Sequence, residues 1–552
     1  MAPLKSPGWD GLHADFFQKQ WSTVGPMIVS MIQGIFQGQA LETELNRTIL
    51  ALIPKKDSPL SFVDFRPISL CMVIYKLLSK VIVRRLKPIF PSIIEHNQTS
   101  FISGRSITEN IIINQEVIHS MRQSKLRDGW MAIKVDLEKA FDRVRWDFIS
   151  DSLLDAGLPA NIRRIIMHSV TSSSFQIQWN GILSRPFWPQ RGIRQGDPLS
   201  PYLFVLVMER LGHLINAAIS SGEWKPFRFV RNGIPVSHLF FADDLILYAK
   251  ALHNQASTIQ QVLSTFGLHS GHRVNKRKTE IYFSPNSPPS VQAEISALLE
   301  YKQVDRFDKY LGVPVLHARA TYTDFNFILD KMKAKLNGWA SRTLSLAGRV
   351  TLAKSVLAAI LVYFMQTCSL PKRVCSEIEK ILRQFIWGSS STARKISLIN
   401  WDSLCQPIEH GGLGIRKIFD FNMAFVMKLS FALVTALDSF WVRILREKYR
   451  MREVCPSTIF QPNSTPLWKA IAAAWDDLKT SLAWSVGTGQ LIRPFDDTWV
   501  PSLGPLRPFI KHTETAAHIH CLSDLLDAHG NWDASTLLSL FDLEVVQHIL
   551  NV

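Results

Sequence analysis

The stretch "LFFADDLILYAK", Leu239 to Lys250, places two adjacent acids inside an otherwise apolar run. Two short hydrophobic segments interrupted at Asp243-Asp244 read as a β-hairpin with its turn at the acids, because Asp is a common turn residue. A plain surface turn would account for either acid alone. Side by side in a half-buried setting they are harder to place, since two carboxylates about 4 Å apart repel by about 4 kcal/mol at an effective dielectric of 20. A divalent cation beside them would reverse the local field. The flanking Phe240, Phe241, Leu245 and Leu247 would then fix the hairpin in a core and hold its turn rigid.

A chain of 552 residues can carry large cores and roughly two to four domains. Its 62 Lys and Arg against 46 Asp and Glu leave a net charge of +16, which favours a polyanionic partner such as nucleic acid, although a membrane surface would also attract it. The six cysteines include no CxxC pair and no zinc-type Cys/His spacing, and read as reduced thiols. The first residues hold no apolar stretch of signal-peptide length, and the best membrane candidate, "VLAAILVYFM", is about half a bilayer span. The expectation is an intracellular protein of nucleus or cytoplasm, without a membrane partner. Both ends look cut, the first at "KSPGWDG" and the last at "VVQHILNV".

Local patterns give the organisation. "YKLLSKVIVRRLKPIF" predicts a helix closing at Pro88, and "SITENIIINQEVIHSMRQS" a helix with Ser106 and Glu109 as a capping box. In "WMAIKVDLEKAFDRVRWDFI", Ile133, Val135 and Leu137 alternate with Lys134 and Asp136, which predicts a strand running through Asp136; a helix follows up to Gly157. Asn180-Gly181 predicts a hairpin turn. "RQGDPLSPYLF" predicts a long helix with Asp197 as N-cap and Pro198 as first helical residue. Beyond about residue 315 the pattern is helical and basic, with Lys331, Lys333, Lys335, Arg342, Arg349 and Lys354.

Asp136 at a strand end, the "RQGDP" loop and Asp243-Asp244 at a turn stand in the order that nucleotide polymerisation requires. Two divalent ions roughly 4 Å apart hold the attacking and leaving oxygens in line, and magnesium prefers a few carboxylates plus substrate phosphates. The run "FADD" resembles the aromatic-x-Asp-Asp motif of reverse transcriptases. "PGWDGLHADFF", "FRPISLCMVIYKLLSKVIVRRL", "NQTSFISGRSITENI", "VDLEKAFDRV", "RGIRQGDPLSPYLF", "FADDLILYA" and "KYLGVPV" resemble, in order, the successive blocks of the reverse transcriptase of non-LTR (LINE-type) retrotransposons, most like those of plants.

The resemblance implies an α+β right-hand polymerase: fingers and an antiparallel-sheet palm over 1–315, a helical thumb over 316–400, and a mainly helical region of unknown role over 401–552. It implies RNA-directed DNA synthesis, with an RNA template, a DNA primer, dNTPs and two Mg²⁺ ions, Mn²⁺ being a possible substitute. Asp136, Asp243 and Asp244 would be the metal ligands. Lys278, beside Lys276 and Arg277, would protonate the leaving pyrophosphate. Phe141 would lie under the incoming sugar and exclude a 2′-hydroxyl, Gln195 and Gly196 would touch nucleotide and template, and Arg66 and Arg105 would grip the triphosphate. Phe241 would pack as the motif's aromatic, and Tyr310 to Val315 would form the primer grip.

The sequence departs from the pattern in places. Phe241 replaces a more frequent Tyr, and His272 stands where Leu is expected. The amino-terminal endonuclease of such elements, a Cys/His cluster and a ribonuclease H acid set are not seen. The alternative is a catalytically silent, retrotransposon-derived relic that binds nucleic acid. An intron maturase shares the palm motifs but should bring a splicing domain.

Overall fold

The computed structural model describes residues 1–316, 321–337, 344–388, 395–527 and 529–552, and the chain divides into two units, Met1–Ala318 and Arg319–Val552. In the first unit the strands are β1 (Arg47–Pro54), β2 (Phe65–Cys71), β3 (Trp130–Val135), β4 (Ser174–Trp179), β5 (Ile182–Leu183), β6 (His238–Phe241), β7 (Asp244–Lys250), β8 (Glu280–Phe283), β9 (Lys302–Val304), β10 (Lys309–Tyr310) and β11 (Val313–Pro314). Five of them form one sheet in the order β6-β7-β3-β8-β9, antiparallel except for the parallel β8–β9 edge. A second sheet, β2-β1-β4-β5, pairs β1 antiparallel to β2 and parallel to β4. This is the α+β, right-hand polymerase architecture, with the five-stranded sheet as palm.

Strand β3 is central, and its residues Met131, Ala132 and Ile133 are all fully buried. The alternation seen in the sequence marks only part of this burial, because helices cover one face and Lys134 is the half-open position. Palm residues Ile133, Leu245, Leu247 and Ile281 share one core with Val205, Met208 and Leu211 of the helix Ser200–Ser220 and with Ile259 of the helix His253–Ser270. The Ser106 capping box closes as expected: its amide donates to Glu109 at 2.9 Å, at the start of the helix Ile107–Gln123. The hairpin at Asn180-Gly181 also forms, both residues taking positive φ.

Three expectations are corrected. The helix expected up to Gly157 is broken into Ala140–Arg143 and Trp146–Asp155. Long-range backbone bonds take over there, with the Glu138 amide donating to Arg273 O, the Arg145 amide to Ser270 O and the Gly192 amide to Val144 O. Asp197 is not the formal N-cap, because the long helix starts at Ser200. Its carboxylate instead accepts from Tyr75 Oη at 2.6 Å, Ser79 Oγ at 2.7 Å and the Leu199 amide at 3.0 Å. The acidic turn is shifted by one residue: Ala242 and Asp243 form it, and Asp244 already belongs to β7.

In the second unit the described elements are helices, among them Asn326–Asn337, Leu346–Leu352, Ala358–Met365, Lys372–Ile386, Ile418–Thr435 and Pro466–Ala473. Asn422, on Ile418–Thr435, holds the link between Ala358–Met365 and Lys372–Ile386 through the Leu370 amide at 2.8 Å and Cys368 O at 3.1 Å. A separate core near the end joins Ile492, Phe495 and Trp499 to Leu537, Phe541 and Ile549. Of the basic residues noted above, Lys331, Lys333, Lys335 and Lys354 are exposed, and Arg342 lies outside the described residues. All six cysteines are free. The apolar run credited with half a bilayer span is part of a longer helical stretch: Ser200–Ser220, Leu346–Met365 and Ile418–Thr435 are each long and apolar enough to cross a membrane by length and composition. The first of these is a palm core helix.

Arg194 is the buried tie of the first unit. Its guanidinium donates to Asn46 Oδ1 at 2.6 Å, to Ser169 O at 3.0 Å and to Asp197 at 3.2 Å, and lies over the Tyr75 ring. Arg194→Met would leave Asp197 as a buried carboxylate without its counter-charge, so urea unfolding is expected to show a loss of about 3–5 kcal/mol.

Candidate active site

The register of the palm sheet decides where the acids meet. Strand β3 pairs with β7 antiparallel, and the pair Val135↔Leu245 is the last of the ladder. Asp136 follows Val135 and Asp244 precedes Leu245, so the two acids lie at the same sheet end. The β6–β7 hairpin closes there with Phe241↔Asp244 and sets Asp243 in its turn. The three acids act on one another: Asp243 raises the proton affinity of both Asp136 and Asp244. For Asp136 the larger cause is burial, offset by Lys278, a hydrogen bond from Asn275 and Lys134. For Asp244 it is again crowding by surrounding protein, although the residue keeps solvent access, then the charge of Asp243, offset by Lys134. Lys278 therefore faces this cluster.

A three-carboxylate, oxygen-only donor set held against its own repulsion fits a hard divalent cation. Asp136, Asp243 and Asp244 are the residues that could hold one.

The turn that carries Asp243 is clamped from the segment Gln98–Ser100. Ala242, at φ +53, is in the left-handed region that a side chain seldom adopts. Its amide donates to Ser100 Oγ at 2.9 Å, and Ser100 is oriented by Gln98 Oε1 at 2.8 Å. Phe240 O accepts from Asn110 Nδ2 at 2.9 Å and from the Thr99 amide at 3.1 Å. On the other side, the Asp136 amide donates to Thr279 Oγ1 at 3.2 Å, and Asp136 O accepts from the Asn275 amide at 2.8 Å. Gln98, Ser100, Asn110, Asn275 and Thr279 were not singled out from the sequence. The available signal was a run of polar residues, "NQTS" and Asn110, that the fold buries almost completely.

Phe141 stacks on Phe204 with ring centres 4.7 Å apart, and its carbonyl accepts from the Ile193 amide at 2.9 Å. This joins the turn after Asp136 to the "RGIRQG" loop. In that loop Gln195 O accepts from the Ser69 amide at 2.7 Å. Gly196 has φ +120, and a Cβ there would come within 2.8 Å of Ser69 O. The close backbone approach that demands glycine is thus to β2. Gln195 lines a cavity of about 190 Å³ together with Ser69, Asp142, Phe187, Arg191 and Asp197.

Arg66 is exposed on β2, opposite Ile53. Arg105 is directed inward: it donates to the carbonyls of Ile94 and Gln98, both at 2.7 Å, and to those of Glu95 and Pro91. Its guanidinium is spent on folding the segment that clamps the hairpin, so this position does not present it to a triphosphate. The Tyr310–Val315 stretch is the β10–β11 hairpin, tied to the palm by Lys134 Nζ on Lys309 O at 3.1 Å. His272, the unexpected histidine, is buried, stacks on Phe266 and lies 3.0 Å by Nε2 from Ala140 O. Burial lowers its pKa to about 4, so the ring is neutral and Nε2 donates.

Residues 53–315 match the family described as Reverse transcriptase (RNA-dependent DNA polymerase). Among curated proteins, the chain is 34% identical over 191 residues to a putative ribonuclease H protein, At1g65750, of Arabidopsis thaliana, covering 34% of this chain and 31% of that one. It is 27% identical over 418 residues to the transposon TX1 uncharacterized 149 kDa protein of Xenopus laevis, covering 74% and 30%. It is 29% identical over 244 residues to the retrovirus-related Pol polyprotein from type-1 retrotransposable element R2 of Nasonia vitripennis, covering 44% and 22%. The chain spans between a fifth and a third of the length of these relatives. With the ordered blocks, the palm register and this match in agreement, the chain carries a reverse transcriptase domain at residues 53–315 and has relatives among the retrotransposons.

Proposed function

We propose that the chain is an RNA-directed DNA polymerase that adds dNTPs to the 3′-hydroxyl of a DNA primer on an RNA template. The observation that carries the reading is the convergence of Asp136 with Asp243 and Asp244 at one sheet end. Two Mg²⁺ ions, or Mn²⁺ in their place, would be held by these carboxylates and would supply activation of the attacking hydroxyl and charge stabilisation at the leaving pyrophosphate. The chain's own groups do the rest. Lys278 would deliver a proton to the leaving group, Phe141 would close the space under the sugar, and the β10–β11 hairpin would seat the primer end. Residues 316–400 would be the thumb, their exposed lysines meeting phosphates without regard to sequence.

Template contact is supported by the sheet of β1, β2, β4 and β5. Phe62, Trp179 and Trp188 are 78%, 50% and 66% exposed, and Trp179 stands with Phe62 and Phe65 at ring separations of 6.1 and 6.3 Å. Exposed aromatics of this kind suit unpaired bases, which stack on rings.

In a primer-extension assay, purified protein is expected to incorporate dTTP on an RNA template with Mg²⁺, and Asp243→Asn to lose about 100-fold or more, the scale set by removing a charge-stabilising group. Wild-type incorporation equal to that of Asp243→Asn, with salt-dependent RNA binding intact, would select the silent relic instead. Trp179→Ala is expected to weaken binding of single-stranded RNA by about 1–3 kcal/mol, read by fluorescence anisotropy. Raised carboxyl pKa values at Asp136 and Asp244 mean that their ionisation opposes folding at neutral pH, and that this penalty fades as pH falls through the folded-state values. Mg²⁺ is therefore expected to raise the melting temperature at pH 7.5, with a smaller rise near pH 4 where protons compete, and Asp243→Asn should blunt the effect.

A further inference from the structure

Away from the palm acids, a second group of metal-ligating side chains converges. Glu209 and His213 are four residues apart on the helix Ser200–Ser220, so they share one face, and Asn216 continues that stripe. Glu95 approaches them from the segment after the short helix Phe90–Ile93. One ligand atom from each of Glu95, Glu209 and His213 lies within 4.8 Å of the other two.

Glu209 is only 5% exposed. Its Oε1 accepts from the Glu95 amide at 2.9 Å and lies 3.8 Å from His213 Nε2. A carboxylate this deeply placed, next to a second carboxylate, is a costly arrangement for a polypeptide to keep. Burial, together with the charge of Glu95, pushes the Glu209 carboxyl up to about 7. Arg105 supplies some positive charge nearby, but its hydrogen bonds go to backbone carbonyls. Asn216 Nδ2 donates to Glu95 Oε1 at 2.5 Å, the kind of outer contact that orients a ligating carboxylate. Glu209 and His213 also line a cavity of about 240 Å³, which leaves room for water on the open side of a bound ion.

We propose that Glu95, Glu209 and His213 form a divalent-cation site of the zinc class, separate from the palm acids, which fastens the segment around Glu95 to the helix Ser200–Ser220. Two carboxylate oxygens and an imidazole nitrogen suit Zn²⁺, with Mn²⁺ next, whereas Mg²⁺ has little use for the imidazole. The site has three protein ligands and an open side. Its ion would steady the same segment whose Gln98 and Ser100 clamp the Asp243 turn, so it would support the palm from behind without touching substrate.

The test uses the full chain carrying Asp243→Asn, so that binding at the palm acids is reduced, and titrates Zn²⁺ by calorimetry before and after His213→Ala. His213 is a surface residue outside the catalytic set, and circular dichroism checks that its removal leaves the fold intact. The parent is expected to bind one Zn²⁺ that the His213→Ala form binds at least ~10-fold more weakly, the usual cost of disturbing a metal site. Co²⁺ added to the parent should give the visible absorption of oxygen and nitrogen ligation, lost with His213→Ala and free of thiolate charge transfer. Equal Zn²⁺ affinity with and without His213, or a Co²⁺ spectrum dominated by thiolate, would overturn the proposal. The Co²⁺ spectrum of the parent decides the matter should His213→Ala fail to fold.

Discussion

Like charges brought together at one end of the palm sheet are the constraint from which the rest of this structure follows. The pairing of β3 with β7 gives the sheet no choice: once Val135 faces Leu245, Asp136 and Asp244 must be neighbours, and a two-residue turn adds Asp243. Each acid is unfavourable for the others, and partial burial makes that worse. Such a cluster persists only if the surrounding chain over-determines it. The bonds from Ser100, Thr99 and Asn110 to the hairpin, and from Thr279 and Asn275 to the end of β3, are that over-determination.

The same segments carry a second layer of fixation. Arg105 folds residues 94–98 around its guanidinium, and these residues present Gln98 to the Asp243 turn. Arg194 binds Asn46 and Ser169 to Asp197 and Tyr75, and so secures the loop whose Gln195 and Gly196 press against β2. Phe141, stacked on Phe204 and bonded through its carbonyl to Ile193, links that loop to the turn after Asp136. Buried polar groups here set geometry more than stability, because an apolar core would hold the helices together without fixing where a carboxylate points.

Much of this was legible in the sequence where a local rule coincides with the fold. The Ser106–Glu109 box, the Asn180-Gly181 turn and the apolar flanks of the acids depend on neighbours within a few residues, and they formed as read. The helix after Asp136 did not, because Glu138 and Arg145 give their amides to residues more than a hundred positions away, which no local period reports. Asp197 looks like a cap from its Pro198 neighbour, yet Tyr75 and Ser79 claim its carboxylate. Arg105 reads as a cation free to grip a triphosphate because its carbonyl partners become visible only when residues 91–98 fold back over it. Gly196, expected to touch nucleotide and template, has its close approach to the chain itself, at Ser69 O.

The central claim is that residues 136 and 243 share one metal centre, and metal-directed cleavage tests it most directly. Fe²⁺ bound in place of the native ion, with ascorbate and peroxide, cuts backbone close to its ligands. The account predicts fragments ending near Asp136 and near Asp243 in the same digest, both suppressed by excess Mg²⁺ and both lost in Asp243→Asn. Cutting at one position without the other, or cutting at both that survives Asp243→Asn, would contradict it.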